Sequence, residues 1–277
     1  MRSDLDLNSL SAMVYDQYSG EVLYAKNPNL QTPIASITKL MTAMVTLDAQ
    51  LPLDERIKIT RQDIDHLKGT GSRLAIGSIY TREQLLNLAL IASENRAAHA
   101  LGRTYPGGLD AFIAAMNRKA QELGMSKTLY VDPTGLSSFN QSTAEDLVKL
   151  VDHAYSYYPD IRRITTSSDY SLGKHRVVVK RKGKKRTYWR DFAFVNTNRL
   201  TRTDEWQIGL SKTGFINEAG HCLVMQADIA QRKVIIVLLD AVGKYNRIGD
   251  ANRIKQWLEG SDISRHTMAS PAVSRGT

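Results

Sequence analysis

The chain has 277 residues, with 37 Lys and Arg against 28 Asp and Glu, and a single cysteine, Cys222. That length accommodates one large domain or two ordinary ones, and no Pro/Gly/Ser-rich linker or internal repeat divides the sequence before Gly260. One cysteine excludes an intramolecular disulfide, and the longest apolar run, residues 234–239, is far too short to span a bilayer.

Taken in chain order, residues 12–16 and 21–24 flank Tyr18-Ser19-Gly20 as a β-hairpin. Thr32-Pro33 reads as a helix start, with Thr as N-cap and Pro preset for the first turn. The helix that follows carries Ile37, Leu40, Met41, Met44, Val45 and Leu47 around most of its circumference, the pattern of a buried central helix. Ser36 lies near its N-terminus and Lys39 three residues on, so both side chains project from one face. A serine hydroxyl is a weak nucleophile that needs a neighbouring base. A lysine of ordinary pKa, about 10.4, is charged at neutral pH and makes a poor one. Burial, together with a second cation for which Lys212 is the candidate, would bring Lys39 into the required range.

Residues 85–101 read as a helix, or as two helices broken by a short turn at Ser93-Glu94-Asn95. Residues 174–190 hold nine Lys and Arg and no acidic residue; without them the rest of the chain has 28 basic against 28 acidic residues. This stretch reads as a hairpin turning at Lys182-Gly183-Lys184, with a solvated loop as the alternative. Aromatics are too few there to favour nucleic acid, and an anionic polymer or membrane surface fits the charge better.

Residues 206–216 alternate and read as a strand carrying Lys212-Thr213-Gly214, followed by strands over 222–229 and 234–240. Cys222 falls in the second of these and reads as a buried structural thiol. The six histidines show no paired metal-ligand spacing. A helix over 250–259, with Ile254, Trp257 and Leu258 on one stripe, packs back on the sheet. The expected architecture is α+β: an antiparallel sheet covered by helices plus a mainly helical lobe over about residues 34–157. The domain runs over 1–262, and 263–277 is expected to be a disordered tail.

Three strings in this order, Ser36-Ile37-Thr38-Lys39, Ser93-Glu94-Asn95 and Lys212-Thr213-Gly214, resemble the signature shared by penicillin-binding proteins and serine β-lactamases. Each string alone is weak; their conjunction at a helix start, a helix junction and a strand carries the resemblance. It implies the penicillin-binding-protein fold and a catalytic set of Ser36, Lys39 and Ser93, with Ser93 passing a proton to the leaving amine. It also implies substrate contacts from Asn95, Lys212 and Thr213, close backbone approach at Gly214, and an oxyanion hole from the backbone N–H groups of Ser36 and Phe215.

The text between the strings narrows the branch. Class A β-lactamases carry a deacylating Glu in an E-x-x-L-N string, which the interval between Asn95 and Lys212 lacks. Gly124-Met125, Asp132-Pro133-Thr134-Gly135-Leu136 and Ser142-Thr143-Ala144-Glu145-Asp146-Leu147 resemble the low-molecular-mass D-alanyl-D-alanine peptidases. Tyr105-Pro106-Gly107-Gly108, Phe215 and Ala219-Gly220-His221-Cys222 look most like the penicillin-binding protein 7 type, whose members are endopeptidases that cut D-alanyl cross-links in peptidoglycan.

The resemblance implies peptidoglycan stem peptides as substrate, β-lactams as covalent inhibitors, and no metal or cofactor. It implies no nucleic-acid partner, a monomer, and a periplasmic location, the chain being read as a mature form whose export signal has been removed. A D-Ala-D-Ala carboxypeptidase uses the same residues and remains open, as do a β-lactamase and a non-catalytic wall-binding protein of the same fold.

Overall fold

The computed structural model describes residues 5–181, 184–243 and 245–268. The chain opens with strands β1 (Ser9–Asp16), β2 (Val22–Lys26) and β3 (Thr32–Pro33), then helix α1 (Thr38–Asp48). Two short strands, β4 (Arg56–Lys58) and β5 (Ile79–Thr81), precede helices α2 (Arg82–Ile91), α3 (Asn95–Arg103) and α4 (Gly108–Glu122). Strand β6 (Gln141–Ser142), helices α5 (Ala144–Tyr157) and α6 (Pro159–Thr166), and strands β7 (Asp169–Arg181) and β8 (Lys184–Val195) follow. Strands β9 (Gln207–Ile216), β10 (Gly220–Ile229) and β11 (Arg232–Ala241) and helix α7 (Asn246–Met268) complete it.

The main sheet is antiparallel in the order β2-β1-β11-β10-β9, so β9 is an edge strand. Side chains alternate across a strand, and both faces of this sheet are covered. Val234, Ile236 and Leu238 of β11 pack with Ile254 and Leu258 of α7, while Ile235, Val237 and Leu239 join the core of the helical lobe. Two-sided burial is why β11 reads as an unbroken apolar run instead of an alternating one. At roughly 1.5–3 kcal/mol for each large apolar side chain removed from water, this strand alone anchors both layers. The fold is therefore α+β, as the sequence leads one to expect.

Local chemistry sets the element boundaries. Thr81 and Gln84 form a reciprocal cap at the start of α2, with Gln84 N–H donating to Thr81 Oγ1 at 3.1 Å and Thr81 N–H to Gln84 Oε1 at 2.9 Å. Thr143 caps α5 through the Asp146 N–H at 3.1 Å.

The helix start expected at Thr32-Pro33 is displaced. Those two residues form β3, paired with Ser142 and Gln141, and Ile34 N–H donates to Asn140 O at 3.0 Å. A one-turn 3-10 helix over Ala35–Ile37 then leads into α1. Tertiary pairing holds Thr32 and Pro33 extended and Ile34 leads into the turn, overriding the local preference for a capped first turn at Thr32.

The basic hairpin expected over 174–190 lies within β7 and β8, which pair from Asp169 with Val195 out to Arg181 with Lys184; its turn residues 182 and 183 lie outside the described residues. Helix α7 continues through Met268, into the segment from 263 that the sequence assigns to a tail, because extending a packed helix by a residue is far easier than nucleating one. Residues 269–277 lie outside the described residues.

Asp250, fully buried near the start of α7, ties that helix to the head of β1. It accepts from Asn8 N–H at 3.0 Å, Ser9 N–H at 2.8 Å and Ser9 Oγ at 2.6 Å, and also pairs with Arg253. Burial alone would raise its pKa, but these hydrogen bonds outweigh burial and hold it below the ordinary carboxylate value. Asp250→Ala is expected to lose about 2–4 kcal/mol of stability at pH 7, measured by urea denaturation. The carboxylate's contribution is present above the ordinary carboxylate pKa and is lost as pH falls through the lowered one. The gap between wild type and variant should therefore close on acidification; a gap independent of pH would rule out this role.

Candidate active site

Ser36 sits in the 3-10 turn that feeds α1, and the backbone around it is held by close approach from two sides. Ala35 adopts φ +47°, a left-handed conformation uncommon outside glycine. Gly135 packs against this turn at φ +82°, and a Cβ there would lie 1.9 Å from Ala35 O. On the other side a Cβ on Gly214 would lie 2.8 Å from Ile34 O and 3.1 Å from Ser36 N. Only glycine lets β9 and the 132–136 loop both touch the serine turn.

Residues 38–46 of α1 are buried throughout, and Lys39 among them is fully buried. Its Nζ donates to Ser36 Oγ at 2.7 Å, Asn95 Oδ1 at 2.8 Å and Thr134 O at 2.7 Å. Two of these partners, the amide oxygen and the backbone carbonyl, are acceptors with no proton to give. They take two N–H bonds in either protonation state, so a neutral amine has its lone pair aimed at the remaining partner, Ser36.

Burial is the main influence on Lys39 and brings its pKa down to about 7, against the opposing pull of Asp132 and Glu94. Burial, named first in the sequence-based expectation, is thus the leading cause, and the mutual repulsion of Lys39 and Lys212 is the lesser one. Lys212 is itself buried and held well below the usual lysine value, first by burial and then by Lys39 and Arg247. The low-dielectric site thus disfavours charge on both amines.

Ser93 occupies the break between α2 and α3 at φ +58°. Lys212 Nζ donates to Ser93 Oγ at 3.0 Å and to Thr213 O at 3.0 Å. Thr213 Oγ1 donates to Thr197 Oγ1 at 2.7 Å. Phe215, 52% exposed, stacks on His221 of β10 with ring centroids 4.4 Å apart. The eight residues singled out in the sequence, Ser36, Lys39, Ser93, Asn95, Lys212, Thr213, Gly214 and Phe215, therefore come together where edge strand β9 meets the helical lobe. The chain of direct contacts runs from Asn95 through Lys39 to Ser36 and, across that junction, from Lys212 to Ser93.

Other participants are not singled out by the sequence reading. Thr134 lies in a string noted only for its resemblance; Asp132 Oδ1 accepts from Thr134 N–H at 2.6 Å and Gly135 N–H at 2.8 Å, presenting Thr134 O to Lys39. Asp followed by Thr-Gly is a turn signal that could have pointed there. Arg247 of α7 reaches under the third motif and donates to Gly214 O at 2.9 Å and Cys222 O at 3.2 Å. Thr70 accepts from Asn95 Nδ2 at 3.0 Å. Cys222 is buried, and burial pushes its thiol up to about 11. Among the described residues no group of three or more His, Cys, Asp or Glu is disposed to hold a metal ion, and no helix is long and apolar enough to cross a membrane.

The chain is similar to known proteins in sequence and in overall fold. A D-alanyl-D-alanine endopeptidase of Pseudomonas aeruginosa is 47% identical over 271 residues, covering 98% of this chain and 82% of that protein. A DD-transpeptidase of Streptomyces superposes with a TM-score of 0.80 at 27% identity, over 93% of this chain and 99% of that one. Penicillin-binding protein D2 of Listeria monocytogenes, in its cefotaxime-bound form, superposes with a TM-score of 0.76 at 30% identity, over 92% and 99%. The family model described as D-alanyl-D-alanine carboxypeptidase, peptidase S11, matches residues 1–243, and the chain belongs to that family of serine peptidases.

Proposed function

We propose that this chain is a serine DD-peptidase that hydrolyses D-alanyl cross-links in peptidoglycan through an acyl-serine intermediate. The observation that carries the chemistry is the surroundings of Lys39 Nζ: two partners that can only accept, and Ser36 Oγ at 2.7 Å in the remaining direction. The 47% identity to an endopeptidase over 98% of the chain favours the cross-link as substrate.

In this reading neutral Lys39 takes the Ser36 proton as Oγ attacks the carbonyl carbon of the penultimate D-Ala. The backbone N–H groups of Ser36 and Phe215 stabilise the oxyanion, an arrangement whose single donors are each worth about a hundredfold in rate. The C–N bond then breaks, and the leaving amine takes a proton delivered through Ser93, which stands 3.0 Å from Lys212 Nζ. In a cross-link that amine belongs to the side chain of the neighbouring stem's diamino acid. Water then hydrolyses the ester and regenerates Ser36.

Lys212 and Thr213 hold the substrate carboxylate, Asn95 a backbone amide of the stem, and Gly214 lets β9 close on the Ser36 turn so that the peptide can lie along the strand's edge. A β-lactam opened by Ser36 forms the same ester and traps the enzyme; the cefotaxime-bound relative supports this part. A carboxypeptidase releasing terminal D-Ala uses the same groups, and the description of the family model favours it as the second reading.

The compartment that suits the substrate is the periplasm, and the enzyme works as a monomer. Its catalytic domain extends through α7, and the nine Lys and Arg between 174 and 190 favour docking on an anionic wall polymer or membrane surface. Deleting residues 180–186 should weaken binding to intact sacculi at low salt; unchanged binding would remove that role.

Digestion of purified cross-linked muropeptides followed by mass analysis should show dimers split to monomers. Pentapeptides trimmed to tetrapeptides with dimers intact would instead establish the carboxypeptidase. Ser36→Ala should lose both activity and covalent labelling by a fluorescent penicillin, and a wild type that takes no label would leave a non-catalytic wall-binding protein.

Acylation should also follow the protonation of Lys39. A base with its pKa lowered to about 7 is neutral above that pH. The second-order rate of penicillin acylation should therefore rise with pH up to about 7 and level off above it. Lys39→Ala should lose at least about a hundredfold on the plateau; acylation at the wild-type rate would remove Lys39 from the role of base.

A further inference from the structure

Between the paired strands β4 and β5 the chain makes a long excursion, residues 59–78, whose ends lie side by side. Long loops closed in this way tend to be functional. This one is fastened to the second motif. Ser72 Oγ donates to Glu94 Oε2 at 2.7 Å, Arg73 N–H to Glu94 Oε1 at 3.3 Å, and Arg96 to Leu74 O at 2.6 Å. The Arg73 guanidinium lies 3.6 Å from the centre of the Phe194 ring and donates to Ala193 O, pinning the loop to β8 as well.

Within this frame Asp65 accepts from Thr70 N–H at 2.8 Å and Thr70 Oγ1 at 2.6 Å, and Asn95 Nδ2 donates to Thr70 Oγ1 at 3.0 Å. A carboxylate only accepts, and a hydroxyl has one proton. Once Thr70 gives that proton to Asp65, it can only accept from Asn95. The Asn95 amide must then turn Nδ2 toward Thr70 and Oδ1 toward Lys39. The amide nitrogen in the reverse orientation would donate into the Lys39 lone pair and occupy the electrons that Ser36 needs.

We propose that Asp65 and Thr70 are positioning residues for acyl transfer: the chain Asp65–Thr70–Asn95–Lys39 fixes the direction of its own hydrogen bonds and keeps the Lys39 lone pair aimed at Ser36. This rests on the serine-peptidase reading given above. It also assigns a task to the 59–78 loop, which carries none of the three motifs. Glu94 serves as the clamp that holds the loop in place.

The test is the rate of acylation by a fluorescent penicillin across pH 5–9, with urea denaturation alongside, for wild type, Thr70→Ser, Thr70→Val and Asp65→Asn. Thr70→Ser keeps the hydroxyl and should stay within about twofold of wild type. Thr70→Val and Asp65→Asn should fall about ten- to hundredfold on the plateau with unchanged denaturation midpoints, since small misplacements at a reacting centre are costly. Their pH midpoint should also move down, because Lys39 loses an acceptor that favours its charged form while Asp132, Glu94 and Lys212 stay in place.

Plateau and midpoint both equal to wild type in Thr70→Val and Asp65→Asn would overturn the proposal. If Thr70→Val fails to fold cooperatively, Asp65→Asn decides by the same two readouts. A wild type that is not acylated at Ser36 at all would instead overturn the serine-peptidase reading on which the proposal stands.

Discussion

A primary amine held out of water, with two partners that can only accept, is the constraint around which this molecule is arranged. Lys39 is supplied by α1, its acceptors by α3 and the 132–136 loop, and its serine by the turn before α1. Lowering a lysine from 10.5 to about 7 corresponds to roughly 5 kcal/mol acting against its charged form. At acidic pH the folded state must hold that charge in its interior. The penalty fades as pH rises from about 7 toward 10.5, because there the unfolded chain binds a proton that the folded one does not. The surrounding core, with both faces of the sheet covered, must supply enough stability to tolerate such a site.

Backbone conformation carries a second part of the cost. Ala35 and Ser93 both adopt positive φ without being glycine, and they flank the serine and form the helix break respectively. Each such residue costs on the order of 1–3 kcal/mol and persists when its surroundings over-determine it. Here those surroundings are identifiable. Gly135 and Gly214 close on the turn around Ala35 from opposite sides, and Lys212 of β9 hydrogen-bonds the Ser93 side chain. Positive φ also occurs at Asn27, Gln50, Ala230, Gln231 and Asp240, but at Ala35 and Ser93 it falls in the segments that carry the two serine hydroxyls of the site.

Much of this was legible in the sequence because its signals are local. The apolar circumference of α1 and the continuous run of β11 report burial directly, while the alternation in β9 marks a strand whose residues 210–214 are all buried. The interruption of the 85–101 helix was legible as a turn, although φ +58° at Ser93 was not. What stayed hidden depends on partners distant in sequence. Thr32-Pro33 has the composition of a helix start, yet β6, more than a hundred residues later, captures it as a strand. Burial of Lys39 is announced by the apolar circumference of α1, but its third partner, the Thr134 carbonyl, comes from a loop nearly a hundred residues on. Thr70 carried no signal, since an exposed threonine in a polar loop looks like any other until Asn95 and Asp65 are placed beside it.

The division of labour between the layers explains why three short strings need a whole domain. The helical lobe holds Lys39 and its acceptors, and the sheet offers an edge strand with Lys212, Thr213 and Gly214 along it. Ser93 is where the two halves exchange a hydrogen bond, and Arg247 from α7 braces the backbone of β9 from beneath. At the rim, Lys68 of the 59–78 loop pairs with Glu218 in the β9–β10 turn, so the loop that orients Asn95 also touches the sheet. Any shift of the sheet relative to the lobe must therefore disturb the Lys212–Ser93 contact, the fit of Gly214 against the Ser36 turn and the loop that orients Asn95 together. In the mechanism proposed above, acylation and leaving-group protonation draw on groups from different layers, so the one interface between those layers bears on both.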